Sequence, residues 1–287
     1  MAKLPTFKHA TIIGVGLLGG SVALALRKAY RGIVIAGVGR RQASLDTAVQ
    51  AGIIDTTHLD PVGPAGKSDL IILATPVGSF ERHLKAIASA IEPGCLVTDV
   101  GSTKTLVVSQ ARRILGRGGP FVGSHPMAGS EHKGCQFARA ELLAGATCVV
   151  TPTADTPSPL VARTEGLWRT LGMNVVRMTP ARHDQAVAKI SHLPHLLSAL
   201  LMLLPDEQAL GVSASGFRDM TRLSGSDVEM WRDILLTNRV PITRAIRKFA
   251  SCLADLQMLL ECEDIAKIEK LLTTARHRRE KLLASRK

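Results

Sequence analysis

With 287 residues, 46% of them hydrophobic, the chain can bury a sizeable core and fold as two domains. No apolar run approaches the roughly 20 residues that cross a bilayer, and no apolar leader segment precedes the first strand; a membrane partner is excluded and a cytoplasmic location expected. The net charge of +12 does not call for nucleic acid, because the excess is spread over both halves and aromatic residues, at 3%, are too few for a base-stacking platform. A cluster at Arg276, Arg278, Arg279 and Lys281 reads as a solvated helix end. The five cysteines are scattered without a CxxC pair and read as reduced thiols, and no metal-ligand cluster is evident.

In chain order, an apolar run at 10–13 leads into Gly14-Val15-Gly16-Leu17-Leu18-Gly19, and an apolar-periodic stretch follows from 21 to 29. Strand, glycine turn and helix in that order form a dinucleotide-binding fingerprint of the Rossmann type. The first glycine permits the tight turn, the second lets the backbone approach a pyrophosphate, and the third lets helix and strand pack closely. The pyrophosphate then sits on unpaired N–H groups at the positive helix end, beside Leu17 and Leu18. Further strands are expected at 32–38, 69–74, 95–100, 120–123, 147–151 and 174–178, with helical stretches at 45–51, 80–91, 104–115 and 159–171. Such alternation predicts an α/β, doubly wound, mainly parallel sheet covered on both faces, with ligands beyond the carboxyl ends of the strands. Those ends carry the glycine turn, Gly39-Arg40-Arg41, Thr75-Pro76, Ser102 and His125.

At Thr179-Pro180 a helix is expected to start, with threonine as cap and proline in the first turn, and no strand is expected beyond it. The reading is a nucleotide-binding domain over 1–179 and an all-helical substrate and dimerisation domain over 180–287. Ser226-Asp227-Val228-Glu229 reads as a capping box led by Ser226. Residues 196–204 are apolar nearly all round, which predicts a helix covered by a second subunit, hence a homodimer. Where an NAD-binding unit carries an acid for the ribose 2′-OH, this chain has Gly39, then Arg40 and Arg41. Two guanidinium groups and no carboxylate favour NADP, with NAD also open.

Gly123-Ser124-His125-Pro126-Met127-Ala128-Gly129-Ser130-Glu131 places a histidine at a strand end in a glycine-rich loop, a candidate for the proton partner of a hydride transfer. Three more segments accompany it: Asp99 to Lys104; His183-Asp184-Gln185-Ala186 with Ser191-His192-Leu193-Pro194-His195; and Gly216 to Arg222. Together, in this order and spacing, they resemble the prephenate/arogenate dehydrogenase family of tyrosine biosynthesis, from the first strand to about Asp233.

The resemblance implies NAD(P)-dependent oxidative decarboxylation of a cyclohexadienol acid, driven by aromatisation and needing no metal. It implies that His125 accepts the 4-hydroxyl proton, that Ser102 orients His125, and that Arg222 clamps a substrate carboxylate with Asp219 as its orienter. Ser191 and His195 resemble side-chain-pocket residues, Ser130 and Glu131 contacts at the pocket mouth, and Thr75 and Pro76 lie where the cofactor is expected. His195 as a donor, with Ser130 and Glu131, resembles prephenate-using members. The missing acid at Gly39 resembles NADP-using members, several of which use arogenate; the balance leans to prephenate. His132, His183 and His277 are expected to face solvent and His192 to be a core or capping residue. Pro194 is expected to kink its helix, and Trp231 fits a substrate-proximal or a core position equally. The alternatives are another Rossmann-plus-helical oxidoreductase, acting on a β-hydroxyacid or an imine with Lys189 as its nearest lysine, and a non-catalytic NADP sensor.

Overall fold

The computed structural model describes residues 5–129 and 132–284. β1 (His9–Ile13), α1 (Leu17–Ala29), β2 (Val34–Val38) and α2 (Gln42–Gln50) are followed by a short edge strand, β3 (Thr56–His58), and a single turn, α3 (Val62–Ala65). Then come β4 (Leu70–Leu73), α4 (Phe80–Ile87), β5 (Leu96–Asp99), α5 (Thr105–Leu115), β6 (Phe121–Pro126), β7 (Thr147–Thr151), α6 (Ser158–Thr170) and β8 (Asn174–Arg177). Strand order in the eight-stranded sheet is β3-β2-β1-β4-β5-β6-β7-β8. Neighbours are parallel except β6 and β7, which run antiparallel with Gly123 opposite Thr151.

β4, at the centre of the sheet, is apolar throughout because both of its faces are covered. Alternate residues of β4 divide between the two layers. Leu70 and Ile72 join Ile12, Leu26, Ile35 and Trp168 on one face, while Ile71 and Leu73 join Ile13, Phe80, Leu84 and Val107 on the other. The order reverses at β1 and β4, so their carboxyl ends open the crevice in which such sheets bind ligands. β3 escapes sequence reading because its Thr-Thr-His offers no apolar signal.

The helices that follow are α7 (Pro180–Val187), α8 (Leu193–Met202), α9 (Glu207–Gly211), α10 (Ser215–Thr221), α11 (Val228–Thr237), α12 (Arg239–Glu261) and α13 (Ile265–Ala284). The compact unit that holds the sheet runs to Arg239, past residue 179, and a second unit begins at Val240. Thr179 caps α7 as expected, its side chain accepting the Arg182 N–H. The cap of α11 is Asp227 instead of Ser226: its carboxylate accepts the Met230 N–H at 2.6 Å, while the Ser226 hydroxyl donates back to the Leu223 carbonyl. A charged acceptor one residue on displaced the predicted box.

Between α7 and α8 the backbone widens into a π-helical turn, Ala188–His192. Proline at 194 lacks an N–H and its ring crowds the carbonyl four residues back, and the wider turn absorbs that conflict where a sharp kink was expected. Leu200 on α8 and Leu203 and Leu204 just past its end are uncovered in the single chain, the last two at 80% and 78% exposure. Among the described residues no helix is long and apolar enough to cross a membrane.

Candidate active site

The three glycines occupy three different environments. Gly14 has φ +105, and a Cβ there would lie 2.7 Å from the Ala74 and Thr75 backbone, so β1 and β4 can sit this close only around glycine. A Cβ on Gly19 would press into the Gly14 carbonyl, but a Cβ on Gly16 would meet nothing within 4 Å. The one open position faces the crevice, as close approach of a phosphate requires. α1 starts there with no side-chain cap and no acid in its first turn, leaving the N–H groups near Leu17 and Leu18 and the positive dipole end to an anion.

A cleft of about 1110 Å³ continues from this turn, lined by Arg40, Arg41, Ser44, Thr75, Pro76 and Arg82 among others. Arg40 and Arg41 are exposed at its rim, and the Thr75 hydroxyl accepts a 2.7 Å bond from Ser79. A dinucleotide fits this lining: open glycine backbone at a helix N-terminus for the pyrophosphate, and guanidinium groups past β2 for a ribose or its phosphate.

β6 delivers His125 to the same edge of the sheet, nearly buried at 9% exposure. Its Nδ1 is 2.8 Å from His183 Nε2, and His183 Nδ1 is 2.8 Å from Asp184 Oδ1. The Asp184 carboxylate also accepts the backbone N–H groups of Lys104 and Thr105, each at 2.8 Å. Asn238 donates to the Asp184 carbonyl at 2.9 Å and to His192 Nδ1 at 3.0 Å. Lys104, fully buried, donates from Nζ to Asp99 and to the Ser124 carbonyl; Asp99 takes the N–H groups of Gly101 and Ser124 as well. Burial pushes the Asp99 carboxyl up and the Lys104 ammonium down, and each charge counters the shift of the other. Burial, with His183 and Lys104 adding to it, holds His125 well below the ordinary histidine range, so the ring is a neutral base at physiological pH.

His183 is therefore a buried residue and not a solvent-facing one. Its polar neighbours Arg182 and Gln185 suggest exposure, but Val187 four residues on shares its buried face and was the available signal. Ser102, expected to orient His125, lies half-buried after β5 and forms no hydrogen bond with it among the described residues; His183 has that contact.

His195 stacks on Trp231, ring centroids 3.9 Å apart, and its Nδ1 is 2.9 Å from the Ser191 carbonyl. A carbonyl only accepts, so Nδ1 carries the proton and the neutral ring presents an acceptor at Nε2, the reverse of the donor expected. Burial lowers the His195 pKa; the Ser191 carbonyl opposes this and the charge of Arg222 reinforces it. Arg222 opens a 3₁₀ turn packed against α8 and is exposed. Asp219 is exposed too and makes no ion pair with Arg222 among the described residues; at such a solvated position pairing gains little. Ser130 and Glu131 lie outside the described residues.

A glycine cradle at the switch point of a doubly wound sheet, with a neutral histidine at the end of β6 in the same sheet, defines a dinucleotide-dependent oxidoreductase. Family models narrow this: residues 22–177 match the prephenate dehydrogenase nucleotide-binding domain and residues 179–274 the prephenate dehydrogenase dimerization domain. The chain is 34% identical over 280 residues to the prephenate dehydrogenase of Bacillus subtilis, covering 94% of this chain and 75% of that one. It is similar to the crystal structure of prephenate dehydrogenase from A. aeolicus in complex with hydroxyphenyl propionate and NAD+, at TM-score 0.91 and 30% identity, covering 98% and 100% of the two chains. It is also similar to Synechocystis arogenate dehydrogenase, at TM-score 0.82 and 30% identity, covering 95% and 99%. The chain belongs to the prephenate dehydrogenase family and is a nicotinamide-dependent dehydrogenase.

Proposed function

We propose that the chain carries out the oxidative decarboxylation of prephenate in tyrosine biosynthesis, with NADP as the preferred acceptor, as a cytoplasmic homodimer. The observation that carries the reading is His125, neutral and nearly buried, on β6 of the sheet whose β1 leads into the glycine cradle, with β4 and β5 between them. A nicotinamide dinucleotide held by the glycine turn and the cleft lining would supply the acceptor for the hydride that leaves the ring carbon bearing the 4-hydroxyl. As that carbon gains carbonyl character, His125 accepts the hydroxyl proton at Nε2. The ring carboxylate leaves as CO2, its bonding pair completes the aromatic ring, and His125 returns the proton to the phenolate oxygen. Ser102 lines the hydroxyl end of the pocket in this reading.

Arg222 clamps a substrate carboxylate, which a planar two-pronged cation does better than lysine. Ser191, His195 and Trp231 border the side chain of the substrate, with Ser130 and Glu131 at the mouth and Asp219 beside Arg222. Arg40 and Arg41 support NADP, and the exposed Leu200 on α8, with Leu203 and Leu204 just past it, supports a second subunit as their cover. The likeness to the relative named prephenate dehydrogenase in B. subtilis supports prephenate as the substrate. One observation favours arogenate as a second reading: the acceptor Nε2 of neutral His195 suits an ammonium group better than a keto acid.

Cofactor reduction with prephenate and with arogenate, each with NADP and NAD, tests the reading, and His125→Asn tests its chemistry. That variant is expected to lose about 10² to 10⁴ in turnover while keeping its cofactor affinity. Parent-like turnover would take the proton away from His125.

A further inference from the structure

We infer that His183 and Asp184 are positioning residues that fix the tautomer of His125 and leave its Nε2 lone pair for the substrate. The inference rests on His125 as the proton acceptor of the proposed reaction. It follows from donors and acceptors taken in sequence, starting at the end farthest from the substrate.

Asp184 Oδ1 faces the Lys104 N–H and Oδ2 faces the Thr105 N–H, both at 2.8 Å. Both oxygens are thus engaged as acceptors, and the group is a carboxylate. The contact from Oδ1 to His183 at 2.8 Å must then be donated by His183 Nδ1–H. A neutral His183 with its proton on Nδ1 has a bare Nε2. The doubly protonated form would be a second buried cation facing the Lys104 ammonium, and burial holds the His183 pKa down, with Asp184 opposing and Lys104 adding to it. Bare His183 Nε2 can only accept, so the 2.8 Å contact to His125 is donated by His125 Nδ1–H. The neutral His125 ring therefore presents its lone pair at Nε2.

Without His183 nothing among these contacts selects that form. An isolated imidazole side chain prefers its proton on Nε2, where it would block acceptance of the substrate proton. When Nε2 does take that proton, the charge on His125 is two hydrogen bonds from the Asp184 carboxylate, through a ring that can pass polarisation along. Loss of an orienting carboxylate behind a catalytic imidazole costs up to roughly 10⁴ in turnover.

The experiment compares two amides at 183. The amide of glutamine reaches the position of histidine Nε2, so His183→Gln keeps an acceptor for His125. The amide of asparagine matches Nδ1, so His183→Asn keeps a donor to Asp184 but falls short of His125. Expected results are turnover within roughly tenfold of the parent for His183→Gln and a loss of 10² or more for His183→Asn. The Michaelis constant, cofactor affinity and melting temperature of the two variants should be alike. Nitrogen NMR of ¹⁵N-histidine-labelled protein at neutral pH should find the His125 proton on Nδ1 in the parent and in His183→Gln.

A purely structural role predicts that the amide which keeps the Asp184 bond does as well as the other or better, and that result overturns the inference. So does a parent spectrum with the His125 proton on Nε2, which stands whether or not either variant folds. The two failures are separable. An inactive His125→Asn beside an active His183→Asn sinks the positioning role alone, whereas an active His125→Asn removes the proton-acceptor reading beneath it.

Discussion

Replacing Gly16 and Gly19 separately by alanine divides ligand approach from packing within one six-residue turn. Gly16 has φ −95, a region open to alanine, and a Cβ there meets nothing within 4 Å. Gly16→Ala should therefore fold as the parent does, with a gain of about 0.4–1 kcal/mol from a less flexible unfolded chain. The added methyl fills the space a pyrophosphate needs and costs about one charge-assisted hydrogen bond, roughly 1.5–3 kcal/mol, which is ten- to a hundredfold in dissociation constant. Gly19→Ala should do the opposite first. Its Cβ runs into the Gly14 carbonyl, a backbone atom that cannot swing away, and overpacking of that kind costs about 1–3 kcal/mol or a melting temperature several degrees lower. Thermal melting and titration with NADP and NAD read both effects. Parent-like cofactor affinity in Gly16→Ala would refute the reasoning, since the phosphate would then not pass over this turn.

Arg40→Ala combined with Arg41→Ala should weaken NADP by at least tenfold more than NAD, measured by titration; equal losses would make these arginines part of the general field. Arg222→Lys should raise the Michaelis constant roughly ten- to a hundredfold with melting and cofactor affinity unchanged; a lower melting temperature with an unchanged Michaelis constant would make it a structural cation. Burial lowers the His192 pKa to about 4, from 6.5. Between those values the unfolded chain binds a proton that the folded chain does not, so stability falls as pH drops from 6.5 towards 4, by about 3 kcal/mol at 1.36 kcal/mol per unit. Urea unfolding of the parent and of His192→Gln at pH 7 and pH 4 should show a shallower pH dependence in the variant by that amount; equal slopes would place the proton elsewhere.

The parts of the fold legible in the sequence are those with a local signal. β1, the glycine turn and α1 are read from consecutive residues, and β7 was expected over the span it occupies, 147–151. His125 stood out because a strand end and a glycine-rich loop flank it. The polar network behind it had no such signal: Asp184 lies 80 residues from the Lys104 N–H it accepts, and the fold alone brings them together. The sequence reads Asp99 as the end of a strand and Lys104 as the start of a helix, and their buried pairing is visible only in three dimensions. The orientation of His195 escaped for another reason. Its partner is a backbone carbonyl, which residue types do not reveal.

Asp184 has a consequence for how this protein can change. α5 begins at Thr105 with no side-chain cap from its own N-cap residue, and the Asp184 carboxylate fills that role from α7. Polar groups buried beside a reaction centre are usually a burden on stability, and variants selected for robustness tend to replace them at the expense of activity. Here the carboxylate that ends the histidine chain also holds down a helix terminus. Selection for a sturdier protein and selection for a working one therefore favour the same residue, and a screen for heat resistance should return aspartate at 184 without any assay of turnover.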